Sequence, residues 1–259
     1  MDMLRYAVML AQEAGTILLD TFGNPQGIQT KPDGTQVSDA DKQSSDFITT
    51  YLTRSYPHMG IVDEEQARDS ECENKEYCWF IDPLDGTRAY IEGRDEWGLL
   101  IGLAREGKPY LCVAYQPHLN KMIIARQGKG AYNNQGNAIR VSTSTAIDTI
   151  ITDRNEPGLD GLLSRIDPHT TTRMGSMFKM IHVACGQATA YVQEPSITLN
   201  LWDLCAPHLI LTEAGGKLTD ISGRPIQYTG GVKHTTGIVA TNGIIHEELL
   251  RRLSASPSA

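Results

Sequence analysis

An α/β protein with layered helices and sheets is what the sequence predicts, from three patterns. Apolar residues recur at helical spacing near the start, β-rich runs joined by tight turns fill the middle, and strand-like and helix-like segments alternate after Thr149. That change of pattern divides the chain into two subregions, 1–145 and 146–259, expected to form one structural unit. No internal repeat or low-complexity block interrupts either.

The elements follow in order. Leu4 to Phe22 reads as an amphipathic helix, with Leu4, Val8, Leu10, Ala11, Ala14, Leu18 and Leu19 on one stripe and Gly23-Asn24-Pro25 as its stop. Gly27 to Val37 reads as a loop or hairpin turned at Lys31-Pro32-Asp33-Gly34. Ser38-Asp39 caps a second helix through Phe47, Ile48 and Leu52, which ends at Pro57-His58-Met59-Gly60. Ile61-Val62 begins a short strand leading into Asp63-Glu64-Glu65, and the polar stretch Gln66 to Glu76 is expected to be exposed. Tyr77 to Ile81 is a buried strand. Gly98–Ala104 and Tyr110–Tyr115 are strands joined by the turn Glu106-Gly107-Lys108-Pro109, and Lys121–Ala125 with Gly130–Tyr132 continues an antiparallel series. Beyond Thr149 come a strand at Ile150–Thr152, helices at Gly158–Ile166 and Ser176–Gly186, and a strand at Thr189–Gln193. A helix at Leu204–Ala214 is stopped by Gly215-Gly216. Strands at Lys217–Asp220 and Thr236–Thr241 precede a closing helix, Ile244–Leu253, with Asn242 near its start. Ser254 to Ala259 reads as a frayed tail.

The formal net charge of −8 argues against a nucleic-acid polymer as partner, since a backbone binder needs a basic face. A small anionic substrate stays open if a metal or a basic pocket reverses the local field. No run of about 18 apolar residues occurs, so no membrane insertion is expected. The five cysteines are odd in number and scattered, without a CxxC pair, which predicts reduced thiols and a cytoplasmic location rather than a disulfide framework or a zinc site. The seven histidines form no zinc-protease pattern.

The chemistry concentrates at Trp79-Phe80-Ile81-Asp82-Pro83-Leu84-Asp85-Gly86-Thr87. Two carboxylates beside each other repel unless a cation is present, and Gly-Thr opening a helix leaves N–H groups that suit an anion. A cation site beside an anion site points to phosphate chemistry run through a metal; a plain Asp-Gly surface turn is the competing reading, about as well supported by this stretch alone. A covalent aspartyl-phosphate motif does not fit, because the two acids are three positions apart rather than two. Elsewhere the plainer readings lead when each motif stands alone. Asp63-Glu64-Glu65 reads as a solvated acidic patch, Asp203 after Trp202 as a helix cap, and Asp39 or Asp41 as another cap. In Gly175-Ser176-x-x-Lys179, Ser176 caps a helix and Lys179 in its first turn opposes the helix dipole, so it is either solvated or answers a bound anion.

Taken together, Asp33 to Asp41, Glu64-Glu65, Asp82 to Thr87 and Trp202 to Gly216 stand in the order and rough spacing of the inositol monophosphatase superfamily, which the chain resembles from about residue 4 to 253. Asp-Pro-Leu-Asp-Gly-Thr paired with Trp-Asp…Glu-Ala-Gly-Gly is a specific signal. The resemblance implies a layered αβαβα sandwich of the inositol monophosphatase/fructose-1,6-bisphosphatase type, and a lithium-sensitive phosphatase using on the order of two or three Mg2+ ions. It implies Glu64, Asp82, the Leu84 carbonyl, Asp85 and Asp203 as metal ligands. It pairs Asp41 with Thr87, which with Glu64 would activate the attacking water, and gives the phosphate to the N–H groups of Gly86 and Thr87. The substrate would be a small phosphorylated molecule and the assembly a homodimer. Lys31-x-Asp33-Gly34-Thr35, the segment Glu96 to Tyr115 and Gly175-Ser176-x-x-Lys179 look most like the 3'(2'),5'-bisphosphate nucleotidase branch, which implies that Ser176 and Lys179 contact the substrate and that it is 3'-phosphoadenosine 5'-phosphate. Of that branch's Ser-Arg-Ser-His segment, Asp153-Arg154-Asn155-Glu156 keeps only Arg154, and Val192-Gln193 stand where the branch has an Arg. Inositol-1-phosphate and histidinol phosphate are the alternative substrates, although Glu194 lies nine residues before Asp203 where the inositol branch has its Glu seven before. A metal-binding regulatory protein on the same fold is the alternative outside enzymology.

Overall fold

The computed structural model describes residues 2–66, 72, 75–154, 159–229 and 231–254. The described elements, in chain order, are α1 (Met3–Thr21), the hairpin β1 (Gln29–Thr30) and β2 (Gln36–Val37), α2 (Asp39–Ser55), β3 (Gly60–Asp63), β4 (Tyr77–Asp85) and α3 (Thr87–Ile91). Then come β5 (Gly98–Arg105), β6 (Lys108–Gln116), β7 (Lys121–Arg126), β8 (Ala131–Asn133), β9 (Thr149–Asp153), α4 (Leu159–Ile166), β10 (Thr170–Met174), α5 (Phe178–Ala184) and β11 (Ala190–Gln193). The last are β12 (Leu199–Asn200), α6 (Leu201–Glu213), β13 (Lys217–Thr219), β14 (Lys233–His234), β15 (Ile238–Thr241) and α7 (His246–Ser254).

Five layers result. A six-stranded sheet, β3-β4-β5-β6-β7-β8, is antiparallel except for its first, parallel pair. A five-stranded sheet runs β10-β9-β11-β15-β13. The period-2 alternation of the strands sorts their side chains between layers. Trp79 and Ile81 of β4, with Leu99, Ile101 and Leu103 of β5, face α1 and α2 through Leu10, Leu18, Ile48 and Leu52. Phe80 and Leu100 point the other way, onto α5 and α6 between the sheets. On the far side of the second sheet, Ile150, Val192 and Val239 pack on Ile166 and Leu249 of α4 and α7. The layers read α1α2, sheet, α5α6, sheet, α4α7, the αβαβα sandwich implied by the resemblance.

α6 is buried nearly all round, as a helix between two sheets must be. It approaches β5 most closely at Gly102, where an added Cβ would stand 2.7 Å from Cys205 Sγ and 3.1 Å from the Ala206 backbone nitrogen. Gly102→Val is therefore expected to overpack this contact and cost about 1–3 kcal/mol, read as a lowered urea midpoint at unchanged slope. A midpoint equal to that of the parent would mean the helix can retreat without loss.

Several expectations need correction. The strand expected at Tyr77–Ile81 runs on to Asp85, so the surface-turn reading of this stretch falls, and its pairing to β5 shifts between Asp82 and Asp85, where Pro83 has no N–H to donate. α6 starts at Leu201 rather than Leu204, and α5 is shorter than Ser176–Gly186. β10 was not anticipated, because Thr170-Thr171-Thr172-Arg173 is an exposed edge strand without apolar alternation. Cys72 and Cys78 form a disulfide, with their Cα atoms 5.5 Å apart, instead of remaining reduced. Their spacing carries no framework signature, so only the proximity of the two Cα atoms reveals the pairing. Of the polar stretch after Gln66, residues 67–71, 73 and 74 lie outside the described residues, as do Gly158, Asn155, Glu156 and the tail 255–259. Among the described residues no helix is long and apolar enough to cross a membrane.

Candidate active site

The end of β4 feeds the site. Gly86 follows in the left-handed region, φ 85°, where a Cβ would also collide with the Glu96 carbonyl oxygen at 2.4 Å. Only glycine suits that position. Thr87 then opens α3, and its hydroxyl lies 2.9 Å from Asp41 Oδ1 and 3.1 Å from the Leu84 carbonyl oxygen, so one proton is shared between two acceptors.

Asp41 is brought here by the start of α2. Ser38 caps that helix, and Asp41 closes the capping box by accepting the Ser38 N–H at 2.8 Å and its hydroxyl at 2.6 Å. Capping leaves the other oxygen of Asp41 for Thr87, so its two oxygens serve different partners. Asp203 repeats the device at the third position of α6, accepting the Asn200 N–H at 3.1 Å. Asp82 Oδ1 accepts the Leu84 N–H at 3.0 Å. Both oxygens of Asp85 accept the Met177 N–H, at 3.0 and 3.1 Å, which ties the end of β4 to the segment before α5. Glu64 follows β3 and receives the Lys31 ammonium at 2.9 Å, while Glu65 receives it at 2.7 Å. Asp63 turns away, to the Ser45 hydroxyl and the Glu65 N–H.

Glu64, Asp82, Leu84, Asp85, Thr87 and Asp203 line one cleft of about 670 Å³. Burial, then the neighbouring charges led by Glu64, holds the Asp82 and Asp203 carboxyls well above their ordinary range. Asp85 is pushed up to about 7, chiefly by burial. Burial also raises Asp41. Among the described residues, no three acidic, histidine or cysteine side chains stand close enough to grip one ion. The carboxylates line the cleft without converging, and Glu64 is turned to Lys31. The donor set nonetheless fits a hard divalent cation: it is oxygen throughout, carboxylates plus one backbone carbonyl, and each carboxylate raises its neighbours' affinity for positive charge.

The other predicted site residues lie elsewhere. Ser176 is buried and its hydroxyl accepts the Phe178 N–H at 3.3 Å. Lys179, only 2 % exposed, donates to Asp153 at 2.6 Å and lies over the Tyr191 ring at 5.1 Å, so it is not the solvated lysine its helix position allowed. Neither lines the acidic cleft; the Lys179 charge acts on it through space, lowering the proton affinity of Asp85. Arg154 binds Glu96 at 2.6 and 2.8 Å and lines a smaller cavity of about 220 Å³, which shares Gly86, Arg88, Glu92 and Gly175 with the cleft. Arg88, Arg94, Glu92 and Glu96 were missed from the sequence. The alternating charges in Arg88–Glu96 were the available signal, although such a run usually marks a solvated face.

Fold and site together define a layered α/β phosphatase, a hydrolase of phosphate monoesters. The chain belongs to the inositol monophosphatase family, whose sequence model matches residues 1–258. It is 32% identical to a histidinol-phosphatase of Streptomyces coelicolor, covering 98% of this chain and 97% of that one. It is 30% identical to a 3'(2'),5'-bisphosphate nucleotidase of Escherichia coli, covering 88% and 94%. A solved inositol monophosphatase from Anabaena superposes with a TM-score of 0.82 at 29% identity, covering 98% and 96%.

Proposed function

We propose that the chain is a Mg2+-dependent phosphomonoesterase using a metal-activated water, and that its substrate carries a second anionic group, with 3'-phosphoadenosine 5'-phosphate as the first candidate. The observation that carries the reading is the cleft itself, lined by Glu64, Asp82, Leu84, Asp85 and Asp203 together with Gly86 and Thr87 at the start of α3. Bound there, Mg2+ would polarise the phosphate and lower the pKa of water. The protein's own groups do the remainder. Asp41, fixed by Ser38, orients the Thr87 hydroxyl, and Thr87 with Glu64 positions the attacking water in line with the ester bond. Gly86 and Thr87 N–H groups hold the phosphate oxygens, and the buried Lys179 ammonium, paired with Asp153, acts on Asp85 to favour its ionised form. No covalent phosphoenzyme is needed.

Arg88, Arg94 and Arg154 around the adjoining cavity support a second anion on the substrate. Histidinol phosphate is the second reading, favoured by the near-complete coverage of the histidinol-phosphatase relative. Lithium sensitivity, a cytoplasmic location and a homodimer accompany the reading through the family resemblance. The deciding experiment measures phosphate release with Mg2+ from adenosine 3',5'-bisphosphate, histidinol phosphate, inositol 1-phosphate and fructose 1,6-bisphosphate. The nucleotide is expected to have the highest kcat/KM; a lead for histidinol phosphate would move the assignment to the second reading.

A further inference from the structure

A chain of ion pairs runs along the wall of the smaller cavity. Arg88 Nε meets Glu92 at 3.1 Å, Arg94 Nε meets Glu92 at 2.8 Å, Arg94 Nη1 meets Glu96 at 2.9 Å, and Arg154 Nη2 meets both oxygens of Glu96 at 2.6 and 2.8 Å. Arg88 and Arg94 come from α3 and the segment after it, whereas Arg154 follows β9 of the other sheet. Glu96 is therefore gripped by two guanidinium groups that converge from separate parts of the fold. Each offers Glu96 a single nitrogen, and a place between two guanidinium groups is one that an anionic substrate group would also seek.

Its position matters as much as its partners. Gly175 lines both the acidic cleft and the arginine-walled cavity, and a Cβ there would be 3.8 Å from Glu96 Oε2. The Glu96 backbone carbonyl lies against Gly86, at the phosphate end of the cleft. Glu96 lines neither cavity itself, but its carboxylate stands beside Gly175, which lines both. The pairs remain accessible, with side-chain exposures of 34 %, 27 % and 44 % for Arg94, Glu96 and Arg154, and solvated ion pairs hold each other weakly. A doubly charged phosphate can compete with a singly charged carboxylate for such a seat.

We propose that Glu96 is a specificity-determining residue: it occupies the anion seat made by Arg94 and Arg154, and a second phosphate or carboxylate of the substrate must displace it to bind. This rests on the phosphatase reading above and adds to it an internal competitor that sets how strongly the cleft prefers substrates with two anionic groups. A substrate with one phosphate on a neutral alcohol has nothing to exchange with Glu96.

The test compares KM for adenosine 3',5'-bisphosphate with KM for glycerol 2-phosphate, in the full chain and in Glu96→Gln, Glu96→Asp and Arg154→Gln. If the nucleotide is not turned over, its Ki against glycerol 2-phosphate replaces its KM. Glu96→Gln is expected to lower the ratio about three- to tenfold by freeing the seat, Glu96→Asp to restore much of it, and Arg154→Gln to raise it. A ratio that Glu96→Gln leaves unchanged overturns the proposal, and so does a rise, which would mean that Glu96 holds a cationic substrate group. Should Glu96→Gln fail to fold, Arg154→Gln carries the test, and a ratio that it leaves unchanged overturns the proposal. Absence of Mg2+-dependent release of phosphate from either substrate by the parent chain would instead bring down the phosphatase reading.

Discussion

Asp85→Asn is expected to cut Mg2+-dependent phosphate release by about 10²–10³, or ~3–4 kcal/mol of transition-state stabilisation. The amide preserves the shape of the side chain and one acceptor for the Met177 N–H, so the tie between β4 and the segment before α5 survives. What it removes is a charge, at a position held rigidly by that N–H and flanked by Asp82 and Asp203 in a buried cleft. For the same reason the metal-free variant is expected to melt no lower than the parent, because one of several mutually repelling buried carboxylates has gone. Rate and melting temperature should therefore move independently, which separates a lost site from a lost fold. Activity near that of the parent would remove Asp85 from the catalytic centre.

The second large effect is on stability against pH. Between pH 6.5 and 8 the metal-free protein is expected to lose about 2 kcal/mol, roughly 4–8 °C in melting temperature, and Mg2+ should restore most of it at the alkaline end. The sign follows from raised carboxyl pKa values. Asp85 and Glu65 are each pushed up to about 7, mainly by burial, and Asp82 and Asp203 are raised well above the ordinary range. A group whose folded pKa is raised contributes stability below its unfolded value and loses it as pH climbs through the folded value. Below about pH 6.5 the trend is opposed, because burial pushes His208 and His246 down to about 4, so folding is weakened there as pH falls. His118 and His182 are lowered as well, and unfolded histidines are still losing protons at the acid end of the window, so the carboxylate trend stands clearest towards pH 8. Thermal melts in chelator and in Mg2+ across that window check the claim. A flat chelator curve, or a Mg2+ shift that does not grow with pH, would mean that the cleft carboxylates are not what the metal meets.

Much of this architecture was legible before the fold was known. α1 and α2 announce themselves by apolar period and stop signals, since a helix that buries one face must repeat every three or four residues. The near-continuous apolar runs of β4 and β5 likewise report two buried faces. Asp82, Asp85, Gly86 and Thr87 were readable because a strand end, a left-handed glycine and a helix start lie within six residues. β10 escaped because an exposed edge strand has no apolar face to repeat. Lys179 could be placed on a helix but not paired, since its partner Asp153 lies 26 residues away, and the partner of Glu96, Arg154, lies 58 away. Charge partners at such separations leave no periodic trace.

By itself, then, the sequence determined the order of elements, the acidic stretch at the end of β4 and, by resemblance, the family. Tertiary structure alone decided that Asp203 and Glu64, each a plausible cap or surface acid, line one cleft with Asp82, and that Asp41 both closes a capping box and accepts the Thr87 hydroxyl. It also decided that Lys179 is buried against Asp153 while Arg154 is bound to Glu96 at the rim. The reason is physical: local conformation and burial are set by neighbours along the chain, whereas the field in a cleft is the sum of charges that only folding brings within a few ångströms.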